Sequence, residues 1–426
     1  MPEAIHQTLP CGIETGILEL PQRHIVAFQI RMLSGACSEP ADKLGLARLI
    51  GETLDKGTEN HSGRELSDAF DTIGASHGGG VGRETTTLSC TVLKEHFEQA
   101  LKLHAEILRR PTFPTDAFDV NLELTRQELA ALNDDASGLA DKFIGQKAYG
   151  AVLGRHTLGE LETLERITRE DLVQHWKDQF CAGRMIVSVT GDIESSFVLD
   201  CLQREFEGFG SSERLGRDCF PVDFTPGTWH HHKELEQEQI GICWQGVSAT
   251  HDDFATQQML LGVLSGGMSS RLFTEVREKL ALVYWVNAWH ETPRGSGMMF
   301  VGASTTPERC DKTYKALLHE VDRLNDDIEP DEVERALTGI LAGRETRGDS
   351  TRAQCSELAS DLFYFGRPRS EEERLARFRS VTVDGIRRYL ETHPREPLCV
   401  LTLGPRALGE ATVGDAQELE TAPSPS

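Results

Sequence analysis

Apolar and polar residues alternate through positions 24–32 (His-Ile-Val-Ala-Phe-Gln-Ile-Arg-Met), which predicts a half-buried strand. It leads into Ser38-Glu-Pro40, and a helix is expected from near Gly45. The same succession returns later. Residues 239–245 (Gln-Ile-Gly-Ile-Cys-Trp-Gln) read as a strand, Ala249-Thr-His-Asp-Asp253 follows, and a helix is expected over 257–264. The later parts of the two halves also correspond. Phe113-Pro-Thr-Asp116 and Ile328-Glu-Pro-Asp331 each announce a long helix. Ile167-Thr-Arg-Glu-Asp-Leu172 and Val381-Thr-Val-Asp-Gly-Ile386 each open a helix with a threonine cap, Thr168 and Thr382. The strands 185–190 and 398–403 then run into Gly191 and Gly404.

One unit used twice is therefore expected, each copy reading β-α-β-β-α-α-α-β. The fold class is α+β: two homologous α/β-sandwich units, each a mostly antiparallel sheet with helices on one face. The 426 residues suit two units of about 200 each. Boundaries are placed at 1–210 and 229–408. Residues 211–228, rich in Gly, Pro, Ser and charge, form a linker, and 409–426 form an acidic, disordered tail.

A net charge of -24 argues against a nucleic-acid partner and suits an anionic membrane surface poorly. No run of 18 apolar residues exists to span a bilayer, and residues 1–9 carry no secretory signal. The ten cysteines contain no Cys-x-x-Cys pair and read as buried free thiols of a reducing, cytoplasmic compartment. His230-His231-His232 is taken as a strand entry rather than a metal site, and Glu371-Glu-Glu-Arg374 as an exposed helix start.

The chemistry is sharpest in Gly45-Leu-Ala-Arg-Leu-Ile-Gly-Glu-Thr-Leu-Asp-Lys-Gly-Thr58. This frame resembles the signature of the M16 (pitrilysin/insulinase-like, M16B) metallopeptidases, whose fold is of the LuxS/MPP-like metallohydrolase type. In that family a helix carries His-x-x-Glu-His before Phe-Lys-Gly-Thr. Two histidines at i and i+4 share a helix face and grip zinc, the glutamate between them acts as general base, and a glutamate on a second helix completes the set. Here Arg48 replaces the first histidine, Gly51 the general base and Glu52 the second histidine. Glu128 keeps the spacing of the last ligand, while Asn121 stands where the family has a supporting glutamate. An arginine is never deprotonated in a protein, so zinc is not expected in this chain. Arg48 is expected to bridge Glu52 and Glu128, the alternative being three separately solvated side chains. In Ile73-Gly-Ala-Ser-His-Gly-Gly-Gly80 a triple glycine replaces the family's substrate-edge run and is expected to make that strand irregular.

The second half retains more. Ser265-Gly-Gly-Met-Ser-Ser-Arg-Leu-Phe273 resembles the family's Gly-Gly-x-Ser-Ser-Arg-Leu run, with Ser269 as candidate N-cap. Arg277 and Tyr284, seven residues apart, match the family's Arg/Tyr pair. By composition alone Arg277 is one charge in Arg-Glu-Lys and Tyr284 a packing residue; the intact run from Gly266 to Tyr284 turns the reading toward function. In active relatives this pair faces the zinc, the arginine holding a substrate carbonyl or carboxylate and the tyrosine steadying the oxyanion. The resemblance implies a non-catalytic subunit, a pseudopeptidase, that needs a zinc-binding partner with intact His-x-x-Glu-His. The partner would hold the zinc, this chain would hold none, and a peptide would be the substrate. An M16 chamber takes four α/β units, of which this chain has two. The competing readings are a structural scaffold, like the M16-type core subunits of respiratory complexes, and an autonomous hydrolase with an unusual site.

Overall fold

The computed structural model describes residues 3–21 and 23–409. The strands are β1 (Ile5–Thr8), β2 (Glu14–Glu19), β3 (Ile25–Met32), β4 (Ser76–Val81), β5 (Thr86–Leu93), β6 (Met185–Gly191), β7 (Gly227–His232), β8 (Glu238–Gly246), β9 (Val283–Glu291), β10 (Gly297–Thr305) and β11 (Cys399–Gly404). The α-helices of the first half are α1 (Leu46–Thr53), α2 (Gly63–Thr72), α3 (Phe97–Arg109), α4 (Thr115–Asp134), α5 (Ala136–Leu153), α6 (Leu161–Leu164), α7 (Arg169–Gln179) and α8 (Ser195–Phe206). The second half has α9 (Phe254–Ser265), α10 (Cys310–Arg323), α11 (Pro330–Gly348), α12 (Thr351–Phe365), α13 (Glu371–Arg379) and α14 (Val383–Thr392). Of the tail expected at 409–426, all but Gly409 lies outside the described residues.

The strands form two sheets, ordered β1-β2-β6-β3-β5-β4 and β7-β11-β8-β10-β9. Leaving β1 aside, the two orders are the same pattern. Each sheet has one parallel pair, β2 with β6 and β7 with β11, and is otherwise antiparallel. The first half thus opens with strands the sequence reading omitted, while His230-His231-His232, read as a strand entry, lies in β7. Local chemistry accounts for the helix starts: Thr168 accepts from the Asp171 amide in a reciprocal box, and Thr382 accepts from the Gly385 amide. Ser269 does not cap its helix, which begins at Leu272.

The strands of the sheet centres are not half-buried. In β3, Val26, Phe28, Ile30 and Met32 enter the core under α1, α3 and α8. The intervening polar positions meet α12, which comes from the other half and packs on β2, β3 and β6. Arg31 donates to Ser360 Oγ at 2.9 Å, Ser188 Oγ lies 3.2 Å from Cys355 Sγ, and a Cβ on Gly16 would stand 3.0 Å from Leu362. The arrangement is reciprocal. Helix α5 of the first half packs on β8 and β11 of the second, where Ile144, Ala148 and Tyr149 share a core with Cys243, Phe300 and Leu401. Each fully buried leucine in these faces contributes about 1.5–3 kcal/mol, so the exchange locks the halves together. The segment 211–226 is a packed strap: Arg214 and Arg217 both reach buried Glu14, at 2.7 and 2.8 Å, and Phe220, Val222 and Phe224 lie against the α5 core.

Candidate functional site

Helix α1 begins at Gly45, whose φ of +98° favours glycine. No side chain of the cap residue serves the helix. The buried Glu39 carboxylate does so instead, accepting from the Gly45 amide at 3.2 Å and the Ala47 amide at 2.7 Å. Burial dominates these hydrogen bonds and pushes the Glu39 carboxyl up to about 7. The start of α1 is thereby fixed, and with it the direction of Arg48, Gly51 and Glu52.

Arg48 Nη2 lies 3.2 Å from Glu52 Oε1 and 3.1 Å from Glu128 Oε2. One guanidinium nitrogen therefore sits between a carboxylate of its own helix and one of α4. The three side chains are partly open, at 26%, 42% and 49% exposure. Zinc does not fit this set. A permanent cation already stands between the two carboxylates, and among the described residues no imidazole or thiolate joins them in a metal-ligand cluster. The place of the general base is closed as well: a Cβ on Gly51 would lie 2.6 Å from Val81 Cγ2 of β4. A glutamate could not be restored there without displacing the Val81 side chain. Asn121 has taken a different task, which sequence reading missed. Its Nδ2 donates to the Glu52 carbonyl at 2.9 Å and to Thr53 Oγ1 at 3.1 Å, tying α4 to the end of α1. A carboxylate at 121 could donate neither bond.

The triple glycine was expected to make the neighbouring strand irregular. Instead β4 pairs with β5 in unbroken register from Ser76↔Thr91 to Val81↔Thr86. It forms an exposed sheet edge. Ladder hydrogen bonds need only the backbone, so absent side chains do not prevent pairing.

The second sheet ends in an edge as well, β9, and Arg277 and Tyr284 are beside it. Three irregularities separate this pair. The helix carrying Arg277, Leu272–Lys279, is π-wound, with the Leu280 amide bonded to the Glu275 carbonyl. Ala281 holds φ at +50°, in the left-handed region disfavoured for a residue with a Cβ. Tyr284 is then the extra residue of a β-bulge, because Ser304 pairs with Trp285 and Thr305 with Val283. As a result the Arg277 guanidinium lies 4.8 Å from the centre of the Tyr284 ring and 4.7 Å from that of Phe273. Glu278 Oε1 is 3.7 Å from Arg277 Nε. Tyr284 is 80% exposed, and its hydroxyl has no hydrogen-bond partner among the described residues. Sequence spacing indicated Arg277 and Tyr284, but not the clamp by Phe273 or the bulge.

The two clusters are not in contact: Arg48, Glu52 and Glu128 belong to the first sheet's layer, Arg277 and Tyr284 to the second sheet's edge. Between the halves, Arg294 and Glu84, each 7% exposed, pair at 3.1 Å, and Arg83 pairs with Glu291 at 2.6 Å. These ion pairs join the β4–β5 turn to the end of β9 and the turn that follows it.

Comparison with known proteins gives a consistent result. The family model described as Insulinase (Peptidase family M16) matches residues 17–160, and that described as Peptidase M16 inactive domain matches 166–340. An uncharacterized zinc protease of Rickettsia felis is 25% identical over 381 residues, covering 88% of this chain and 91% of that protein. The uncharacterized zinc protease YmxG of Bacillus subtilis is 26% identical over 388 residues, with 89% and 94% covered. Among solved structures, a peptidase M16 inactive domain from Pseudomonas fluorescens superposes with a TM-score of 0.87 at 19% identity, over 96% of this chain and 99% of that one. A protease from Helicobacter pylori gives 0.86 at 17% identity, over 95% and 100%. These two share the fold of this chain over nearly its whole length. The chain belongs to the M16 peptidase family.

Proposed function

We propose that this protein is the non-catalytic subunit of a two-chain M16B zinc peptidase, completing a peptide-binding chamber and supplying Arg277 and Tyr284 in trans. The observation that carries the reading is the segment between those two residues. A π-wound helix, a left-handed alanine and a bulge depart from regular geometry, the strained alanine at a cost of order 1–3 kcal/mol. Together they hold a guanidinium against a tyrosine ring and leave the hydroxyl free. In this reading Arg277 holds a carbonyl or carboxylate of the peptide, and the Tyr284 hydroxyl donates to the developing oxyanion.

The other half of the reading rests on Arg48. With a fixed cation between Glu52 and Glu128, and Val81 against Gly51, this chain contributes no hydrolytic centre of its own. The zinc belongs to a partner with intact His-x-x-Glu-His, and the pair acts on peptides. Free cysteines, all but Cys219 buried, suit the cytoplasm. The proposed units are 1–210 and 229–408, the linker 211–228 between them comprising the strap 211–226 and the first two residues of β7. Mixing this chain with a His-x-x-Glu-His homologue from the same source tests the proposal. Peptidase activity should be absent from this chain alone and should rise greatly over the partner alone on mixing. Chelator-sensitive proteolysis by this chain alone would overturn it.

A further inference from the structure

Two histidines and an aspartate from distant parts of the chain converge at the start of α9. His251 and Asp253 lie just before that helix, and His393 follows the end of α14. His393 Nε2 is 3.2 Å from Asp253 Oδ2, and His251 Nδ1 is 3.8 Å from the same oxygen. One ligand atom from each residue lies within 4.8 Å of the other two. Zinc–ligand bonds of about 2.0–2.2 Å in a tetrahedron set neighbouring ligand atoms about 3.3–3.6 Å apart, so small side-chain rotations would close the set on one ion.

We propose that His251, Asp253 and His393 form a binding site for one divalent transition-metal ion of the zinc and cobalt class. Two imidazoles and one carboxylate are the donor chemistry such ions take, and three protein ligands leave a fourth position open. The ligands are available. Asp253 is the N-cap residue of α9 yet makes no side-chain cap bond, and it forms no ion pair with an arginine among the described residues. The Asp253 amide donates to His251 Nδ1 at 3.1 Å, so that nitrogen carries a lone pair, whereas His393 Nε2 donates to the Asp253 carboxylate; binding would exchange both hydrogen bonds for metal bonds, the His393 proton moving to Nδ1 or being released to solvent. The His393 ring is held in place by Tyr389, with centroids 4.8 Å apart, and buried Tyr389 is itself anchored through its hydroxyl to Gln257 Oε1 at 2.8 Å. Such support orients ligands before the ion arrives. The cluster lines a cavity of about 630 Å³, which gives an ion an entry path and the open position a volume to face. The bound ion would cross-link the end of α14 to the start of α9, far in sequence from Arg48, Glu52 and Glu128.

Titration of the full, metal-stripped chain with Co²⁺ tests this site without any activity assay. Expected are visible d–d bands that saturate at one equivalent, are displaced by Zn²⁺, and accompany a rise in melting temperature of at least about 2 °C. His251→Ala removes an exposed side chain and should leave the circular dichroism spectrum unchanged, yet weaken Co²⁺ binding by at least about 100-fold; outer-shell changes already cost 10- to 100-fold. Asp253→Asn should do the same, and Arg48→Ala should leave the Co²⁺ titration as it is. Absence of saturable binding, or binding unchanged in folded His251→Ala and Asp253→Asn chains, would overturn the proposal.

Discussion

Arg48 shares one nitrogen between two carboxylates, but all three side chains are partly solvated. Solvent screening limits such pairs to under about 1 kcal/mol, so Arg48→Ala should lower stability by no more than that in urea melts. A loss of several kcal/mol would mean that the bridge is sealed from water. Glu39 makes a stronger residue-scale prediction. Burial disfavours its charge and pushes the folded carboxyl up to about 7 from the ordinary 4.5. The folded state therefore holds the proton more tightly. Its contribution is complete below about 4.5 and is lost as pH rises through about 7. Glu39→Gln keeps an acceptor for the α1 amides but cannot ionise. Its stability relative to wild type should rise between pH 5 and 8 by on the order of 3 kcal/mol; a flat difference would refute the assignment. At this scale the departure from the family's zinc-ligand pattern was legible, because Arg48, Gly51 and Glu52 stand in a recognisable helix frame. The closing of the base position was not, since Val81 reaches Gly51 from a strand thirty residues on. Nor was the new bond of Asn121, whose acceptor is a backbone carbonyl and leaves no mark in the sequence.

The elements that sequence patterning located well are those with local causes. Threonine caps begin α7 and α14, the first within a reciprocal box, and alternation defines β3 and β8. The exchange of α5 and α12 between halves was hidden, because a polar strand face reads as solvent whether water or a partner helix covers it. Arg31 donates to Ser360 there and Ser188 pairs with Cys355, so these polar positions carry no apolar signal of their burial. The second interface offers a direct test. A Cβ on Gly241 of β8 would already stand 2.8 Å from Ile144 Cδ1 of α5. Gly241→Val should destabilise the protein by about 1–3 kcal/mol and speed amide exchange in α5, leaving α12 protected. Unchanged exchange in α5 would show that the helix does not depend on this contact. The π-winding, Ala281 and the Tyr284 bulge were equally illegible, since neither periodicity nor propensity encodes a departure from regular geometry.

At the scale of the molecule, reciprocal helices and the Arg294–Glu84 pair bind two pseudo-equivalent halves into one body, with a sheet edge exposed in each. One edge lies beside a site occupied by Arg48, the other beside a free tyrosine. The proposed account joins these features: the chain has given up the metal chemistry of the Arg48 position and kept the opposite wall of a chamber that a second chain completes. Tyr284→Phe in the reconstituted pair isolates that claim, because only an exposed hydroxyl is removed. The measurement is kcat for peptide hydrolysis by the assembled pair, with assembly verified by sedimentation. The account predicts an intact complex whose kcat is lower by about 100- to 1000-fold, the usual loss of one oxyanion donor. Full activity in that complex, retained when Arg277→Ala is added, would contradict it and leave this chain a scaffold.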